Sequence, residues 1–459
     1  MPKRIKFPLP KNLFPPLALT EQRENELERL TRSIVEDTVV EYEQHLIHSG
    51  RRGVSVDRYK WEPVKTRENV TVYHQRKSSS KGADTRLSSL SNGSGKTDKD
   101  VHVLLTTGKI LGDLNDVMFG VLSPTEDAMR LKTSYVHDDA LDCGVLAPVI
   151  PASPIDPFRF LGLKWMVVDA PARVQAFVRK RDFVYVESTG ILTRPNGDRI
   201  GYHVMHSVEC PGVRVLDEYE IVRGKLSFCH LFRQQASGVV ELYSKGSYDP
   251  LGDMIDSIAI ASCSTLLVSS AKLLHCAYMK KLAWLAQNTQ PEESLPVVHN
   301  GLSTHMACSI CRGSFHHMWK REVTCGICCQ VVCRRCIFHR KISVERPDMH
   351  VIQQKLPFCS GCINLANQEN SHMIASQEIL NGATTGAYVP DHSRFRHTAF
   401  LEESSTRRSD RWKSSSGATT SSAGSYHSSA HKEEEGRRPE RDSPQNSPPS
   451  SSYRIEYLL

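Results

Sequence analysis

The segment 308-CSICRGSFHHMWKREVTCGICCQVVCRRC-336, completed by 359-CSGC-362, determines the fold of the C-terminal part of this chain. It holds four Cys-x2-Cys pairs: Cys308/Cys311, Cys325/Cys328, Cys333/Cys336 and Cys359/Cys362. Thiolate is a preferred zinc ligand, and a two-residue gap lets both sulfurs of a tight turn reach one ion. The four pairs therefore predict two complete tetrahedral Zn2+ sites.

The order of the pairs predicts how they share the two ions. Only residues 329–332 separate the second pair from the third, which is too short for two sites to close one after the other. An interleaved cross-brace removes this conflict. It predicts two ligand sets: Cys308, Cys311, Cys333 and Cys336 for one zinc, and Cys325, Cys328, Cys359 and Cys362 for the other. Cys329 would break the two-residue gap if it replaced Cys328, so we interpret it as a non-ligand.

A disulfide scaffold is the alternative explanation for clustered cysteines. It requires an oxidising compartment. The N-terminal sequence MPKRIKFPLPKNLFPPLALT has prolines where a signal peptide has an unbroken apolar run. We therefore predict zinc in place of disulfides, and a cytoplasmic location.

The spacing of the pairs resembles the FYVE-type zinc finger over residues 306–364. A RING finger would need a histidine between the second and third pairs, and none is there. The resemblance implies binding of phosphatidylinositol 3-phosphate and a peripheral location on endosomal membranes. The basic signature of that family, R-[RK]-H-H-C-R, is degraded here, because residues 320–326 read KREVTCG. Lys320 and Arg321 remain as the candidate lipid-headgroup contacts.

Charge and motif content narrow the possible functions. The formal net charge is +7, and the basic residues lack the aromatic interleaving of nucleic-acid-binding surfaces, so no nucleic-acid partner is predicted. Basic residues outnumber acidic ones in the finger, which favours a phosphoinositide-containing or other anionic membrane. No nucleophile constellation is present and four-thiolate sites have no open position, so we predict no enzymatic activity. No apolar run approaches about 18 residues, so no membrane span is predicted.

The middle of the chain has the pattern of an antiparallel sheet. Segments 182–192, 200–208, 214–232 and 239–247 are rich in β-branched and aromatic residues, with a PNGD turn at 195–198. One long helix follows from about residue 253 to 286, with Asp253 as its cap. Its predicted inner stripe consists of Ile255, Ala259, Ser262, Leu266, Ser269 and Leu273.

Small residues on a helix that crosses a curved sheet predict a cavity in place of a filled core. The run RDFVYVES at 181–188, the strands leading to YDP at 248–250 and the closing helix resemble a START domain over residues 20–288. That resemblance implies a helix-grip fold that holds a sterol or phospholipid. Its combination with a FYVE-like finger resembles a large group of oomycete proteins.

The predicted fold class is α+β: a START-like helix-grip domain with a long C-terminal helix, then a small cross-brace two-zinc finger and a disordered tail. A helix is predicted over 20–48 and a strand over 61–77. The predicted regions are an N-terminal extension (1–19), the START-like domain (20–290, with a flexible loop at 78–99), a linker (291–305), the finger (306–366) and the tail (367–459). The tail is Ser-rich and too polar to offset its ordering entropy.

The predicted function is that of a non-enzymatic lipid-binding or membrane-associated adaptor. A protein-interaction zinc-finger scaffold without a lipid ligand remains the alternative, with protein partners in place of lipid. Alternation places His203 and Met205 on one strand face and Tyr202 and Val204 on the other, without showing which face is inward. The polar residues His206, Arg233 and Tyr243 are interpreted as ordinary side chains, so no cavity contact is predicted.

Overall fold

A computed structural model describes most of the chain up to residue 388. The described residues are 5–10, 13–48, 56–76, 101–235, 238–289, 307–315, 322–384 and 386–388, and all lie in one compact unit spanning 1–398. The predicted loop at 78–99 and the predicted linker at 291–305 lie outside them. The same holds for most of the predicted tail.

The main sheet has ten strands and is antiparallel along its length, as the meander pattern predicted. Its order is β1-β2-β3-β10-β9-β7-β6-β5-β4, and β8 pairs with β6 in parallel outside this path. The strands are β1 (Trp61–Arg67), β2 (Val70–Gln75), β3 (His102–Leu111), β4 (Ala140–Ile150), β5 (Phe160–Val168), β6 (Arg181–Thr193), β7 (Arg199–Ser207), β8 (Val222–Arg223), β9 (Lys225–Gln234) and β10 (Val239–Asp249).

Two predicted strands differ from the observed ones. The segment 61–77 is a β1–β2 hairpin that turns at Glu68, whose φ of 52° interrupts an extended chain. The strand predicted from residue 214 begins only at Lys225, because residues Asp217–Tyr219 form a 3-10 turn.

Helices cover both faces of the sheet. The helices before the finger are α1 (Glu21–His48), α2 (Leu114–Val121), α3 (Glu126–Val136), α4 (Asp256–Val268) and α5 (Leu273–Asn288). Helix α1 packs on the face that carries Tyr202 and Val204. Helices α2 to α5 lie on the other face, where α4 borders the β1–β2 end and α3 borders β4. The sheet thus wraps around the C-terminal helical segment, which confirms the predicted helix-grip fold.

The C-terminal helical segment is not one continuous helix. The side-chain hydroxyls of Ser269 and Ser270 bond to the carbonyls of Leu266 and Leu267 at 2.6 and 2.7 Å, and residues Ser269–Lys272 tighten into a 3-10 turn. The predicted cap is also wrong: α4 begins at Asp256 after Ile255, with no side-chain cap bond. Ile255 is 67% exposed and does not belong to the buried stripe.

The same segment satisfies a length-and-composition test for crossing a membrane. Residues 256–288 have a window of mean hydropathy 1.5, and half of that window is buried inside the protein. A core helix of a soluble domain has the same properties, because apolar residues here pack against the sheet and against α2. The buried ammonium of Lys280 also donates to two carbonyls of the α2 region, at 2.8 and 2.7 Å.

The finger consists of two short hairpins and a helix. Its elements are β11 (Glu322–Thr324), β12 (Val331–Cys333), β13 (Ile337–Glu345), β14 (Val351–Cys359) and α6 (Ser360–Gln368). Helix α7 (Ser371–Leu380) follows, so the prediction that disorder starts at 367 is wrong. Ile374 and Ala375 of α7 are buried against the domain, and this apolar burial orders the segment.

The finger packs directly on the START-like domain. Its β13–β14 hairpin contacts α3, where the hydroxyls of Ser134 and Ser343 lie 2.7 Å apart and Gln353 Nε2 donates to the Ser134 carbonyl at 3.1 Å. Arg130 of α3 and Glu345 of β13 form an ion pair at 3.7 Å. One buried apolar cluster runs from α3 and α5 into the finger, so the two regions share a core.

Candidate metal centres and ligand cavity

The structure collects the eight paired cysteines into two groups of four. In each group the four sulfur atoms lie within 4.8 Å of one another. The groups are Cys308, Cys311, Cys333 and Cys336, and Cys325, Cys328, Cys359 and Cys362. These are the interleaved sets that the spacing predicted, so each group can hold one metal ion.

The sulfur separations match a tetrahedral ion and do not match disulfides. Four thiolates at about 2.3 Å from one ion lie about 3.8 Å from each other. The sulfurs of Cys311 and Cys333 are 3.8 Å apart, and those of Cys328 and Cys359 are also 3.8 Å apart. A disulfide would bring them to about 2.05 Å. All fourteen cysteines of the chain are free thiols.

The first and second Cys-x2-Cys pairs each lie in a turn of the same type. The N–H of Arg312 donates to the Cys308 carbonyl at 2.8 Å, and the N–H of Cys329 donates to the Cys325 carbonyl at 3.0 Å. Arg312 and Cys329 both have a φ of 57°, in the left-handed region. Cys329 therefore serves as the turn residue after the pair, which explains why its sulfur is not in the cluster.

Backbone N–H groups point at the ligand sulfurs. The N–H of Cys333 donates to Cys308 Sγ at 3.3 Å, and the N–H of Cys359 donates to Cys325 Sγ at 3.2 Å. Such bonds stabilise negative charge on thiolates and orient them toward a metal. The lipid-headgroup candidates Lys320 and Arg321 lie outside the described residues.

A partly open cavity lies between the inner face of the sheet, α3 and the α4–α5 junction. Its volume is about 70 Å3. An engineered apolar cavity of about 150 Å3 holds one benzene molecule, so the cavity of this protein is too small for a lipid in this conformation. The wall is mostly apolar and includes Met129, Met166, Tyr185, Met205, Phe228, Phe232, Leu266, Leu267 and Leu273.

A buried charged network occupies one part of the cavity wall. The ammonium of Lys164 pairs with Glu187 and donates to the Ser123 carbonyl at 2.7 Å. His203 Nε2–H donates to the second Glu187 oxygen at 2.9 Å. The His230 ring stacks on His203 with 5.5 Å between ring centroids. All four side chains are buried.

Burial and pairing set the charge state of this network. Burial raises the pKa of Glu187, but the Lys164 charge and the His203 hydrogen bond outweigh it and hold that pKa below its usual range. Burial lowers the pKa of Lys164, and Glu187 opposes this effect. Burial also lowers the pKa of both histidines. Glu187 is therefore ionised beside Lys164, and the histidines are neutral.

The sequence analysis missed the polar residues of the cavity. Met205 and His203 face the cavity, whereas Tyr243 packs against α1 on the other face of the sheet. Arg233 pairs with Asp198 at 2.9 Å, and His206 bonds to Ser227 at 2.8 Å, which agrees with their interpretation as ordinary side chains. The sequence feature that could have indicated these polar residues is Lys164, a single charge inside the otherwise apolar strand FLGLKWMVV at 160–168.

The fold and these sites define the chain as a helix-grip domain with a finger packed on it that carries two groups of four cysteines. No family model matches the sequence, and no curated protein matches it. Solved structures that are similar to part of the chain include human StAR-related lipid transfer protein 5. That similarity has 12% identity and a TM-score of 0.36, and covers 55% of this chain and 97% of the human one.

A bacterial structure gives a similar result. The STAR-related lipid transfer protein from Xanthomonas axonopodis has 14% identity and a TM-score of 0.30, covering 47% of this chain and 98% of that one. Similarity at this level assigns no function to the chain.

Proposed function

We propose that this protein is a non-enzymatic, zinc-binding adaptor that holds a lipid in its START-like cavity and associates with an anionic membrane through its finger. The observation that carries the proposal is the cavity itself, whose wall is mostly apolar and carries the charged network around Glu187. A wall of this kind suits an amphipathic ligand such as a sterol or phospholipid, with its polar group beside the network.

Ligand entry requires the cavity to expand. Three methionines of the wall, Met129, Met166 and Met205, are unbranched and can change conformation at low cost. Helix α3 and the 3-10 turn at Ser269–Lys272 close the cavity on the helical side. Movement of either element would open a route for a ligand into the cavity. The finger contacts one of these two elements, helix α3.

We propose zinc as the metal of both cysteine groups. Four thiolates in a tetrahedral arrangement are the usual ligand set of a structural zinc site, which has no open position for substrate. The ions would close the two turns and so hold the β13–β14 hairpin against α3. Zinc would therefore act on structure in this protein, and the proposed function has no catalytic step.

The finger is proposed to be FYVE-related and to attract anionic lipid, with Lys320 and Arg321 as headgroup contacts. Lys341 and Lys355 of the described hairpin lie directly opposite each other, and no described acid pairs with either. Like charges that face each other are unfavourable unless an anion is near. We infer a peripheral location on cytoplasmic membranes, with endosomal phosphatidylinositol 3-phosphate as the first lipid to test.

Liposome flotation of the full chain tests the membrane part. We expect zinc-loaded protein to float with vesicles that contain phosphatidylinositol 3-phosphate, and Lys320→Ala/Arg321→Ala to reduce flotation. Arg58→Ala/Lys60→Ala, which removes two exposed charges from the START-like domain, is the matched control. Equal flotation of both double variants would exclude the proposed headgroup contacts.

Native mass spectrometry after incubation with mixed liposomes tests whether the cavity binds lipid. A protein that carries no lipid in this measurement would exclude a lipid-binding cavity.

The second candidate function is a protein-interaction scaffold without a lipid ligand. It is favoured by the small size of the cavity, about 70 Å3, which a few water molecules would fill. If the protein is such a scaffold, the charged network around Glu187 stabilises the core and contacts no ligand. The absence of both lipid uptake and flotation would favour it.

A further inference from the structure

Two polar groups on the cavity wall have no hydrogen-bond or ion-pair partner among the described residues. His230 is only 7% exposed, and its buried Nδ1 atom has no hydrogen-bond partner among the described residues. Lys132, which is half-buried, reaches the same cavity from α3, and no described carboxylate forms an ion pair with its ammonium. Buried polar groups are normally paired, so the unpaired His230 Nδ1 indicates a missing partner in the cavity, and Lys132 supplies a positive charge on the same wall.

The carboxylates of the wall are engaged elsewhere. Glu187 is neutralised by Lys164 and accepts a bond from His203. Asp138 is half-buried and accepts from the N–H of Ala140 at 3.3 Å. Lys132 is consequently the one charged group of the described cavity wall that neither an ion pair nor a hydrogen bond satisfies.

The chemistry of the two groups selects the kind of ligand. A lysine ammonium offers only donors, so it binds acceptors and anions best. A neutral imidazole can donate from Nδ1 when that nitrogen carries the proton. Both groups can therefore bind one small anionic head group, while the methionines around it can adapt to an apolar tail.

We propose that the cavity takes an amphiphile with a single acidic head group, a carboxylate or a phosphate monoester, which pairs with Lys132 and accepts a hydrogen bond from His230. This rests on the proposed lipid-binding function and narrows its ligand class. A zwitterionic or neutral lipid would leave the Lys132 charge without a counter-charge when the cavity closes over it.

Calorimetric titration of the full-length, zinc-loaded protein tests this inference with three probes of equal chain length. These are dodecanoic acid, dodecyl phosphate and 1-dodecanol, each below its aggregation concentration. We expect at least one of the two acids to bind about tenfold or more tightly than the alcohol, because a charged hydrogen bond is worth that factor. The two acids separate a carboxylate head from a phosphate head.

Variants test whether Lys132 and His230 cause the preference for an acidic head group over an alcohol. Lys132→Met should remove the preference, Lys132→Arg should retain it, and Lys60→Met, which removes an exposed charge far along the chain from both the cavity wall and the finger, should leave it unchanged. His230→Phe keeps the aromatic stack and should weaken acid binding without weakening alcohol binding. Circular dichroism verifies that each variant is folded.

Two results would overturn the inference. If the alcohol binds as tightly as both acids, or if Lys132→Met and His230→Phe keep the preference, the ligand class is wrong while a lipid-binding cavity stands. If none of the three probes binds, the proposed lipid-binding function fails as well.

Discussion

The backbone N–H of Ser343 donates to the phenolic oxygen of Tyr135 at 2.7 Å, and this bond joins strand β13 of the finger to helix α3 of the START-like domain. Ser343 is fully buried and Tyr135 is 1% exposed. The N–H therefore has no access to water if the phenol is lost. The bond places the finger one helix away from the cavity, because the same helix carries Met129 and Lys132 on the cavity wall.

Tyr135→Phe should destabilise the protein by about 1 to 3 kcal/mol, the cost of leaving a buried donor unpaired. Chemical denaturation measures this free energy of unfolding. Tyr59→Phe, at a residue that is 93% exposed, should change it by less than about 0.5 kcal/mol. Equal effects of the two substitutions would show that the Ser343 bond adds nothing to stability.

Metal removal should loosen the START-like domain as well as the finger. If the finger binds the two proposed ions, they supply much of its folding free energy. Its apolar residues belong to the same cluster as those of α3 and α5. Hydrogen exchange of α3 and α5 should accelerate when a chelator is added. Unchanged protection of both helices after complete metal loss would contradict the shared core.

The metal count should follow the cysteine groups. Elemental analysis should give two ions per chain for the native protein and for Cys329→Ser, whose sulfur lies outside both groups. Cys328→Ser should lower the count, because one group then keeps only three thiolates. A lower count in Cys329→Ser would mean that this residue is a ligand.

Removing one partner of the buried pair Lys164 and Glu187 should lower the free energy of unfolding strongly, whereas replacing both partners should lower it only slightly. Glu187→Gln alone leaves the Lys164 charge without a partner and should cost about 3 to 5 kcal/mol. The double variant Lys164→Met/Glu187→Gln should recover most of that loss and keep an acceptor for His203. Additive effects in this double-mutant cycle would argue against coupling.

Glu378 should make stability depend on pH. Burial raises its pKa to about 7, so the folded state binds the proton more tightly than the unfolded state does. Its contribution is favourable at low pH and is lost as pH rises from about 4.5 through 7, by an amount on the order of 3 kcal/mol. Glu378→Gln should be more stable than the native protein at pH 8 and similar to it at pH 5. A constant difference across pH 5 to 8, measured by thermal unfolding, would contradict the titration.

Local patterns predicted the element types better than their ends. The helix at 20–48 and the central strands follow directly from periodicity, and the helix-grip fold is confirmed. The continuous helix from 253 to 286 was wrong, because serine hydroxyls at 269 and 270 compete for backbone carbonyls and tighten the turn. Helix α7 was missed because its stability comes from packing on α2 and α5, and the local sequence does not reveal these contacts.

The sequence by itself determined the two groups of four cysteines, since two-residue spacing sets the pairs and the short gap between the second and third pairs sets how they combine. It could not determine the cavity, because strand alternation defines two faces without choosing the inner one. Only the tertiary structure brought Lys132 of α3, Glu187 of β6 and His230 of β9 to one wall, since strand register and helix packing set these distances. The docking of Ser343 on Tyr135 was likewise decided by tertiary packing, because residues 208 positions apart share no local pattern.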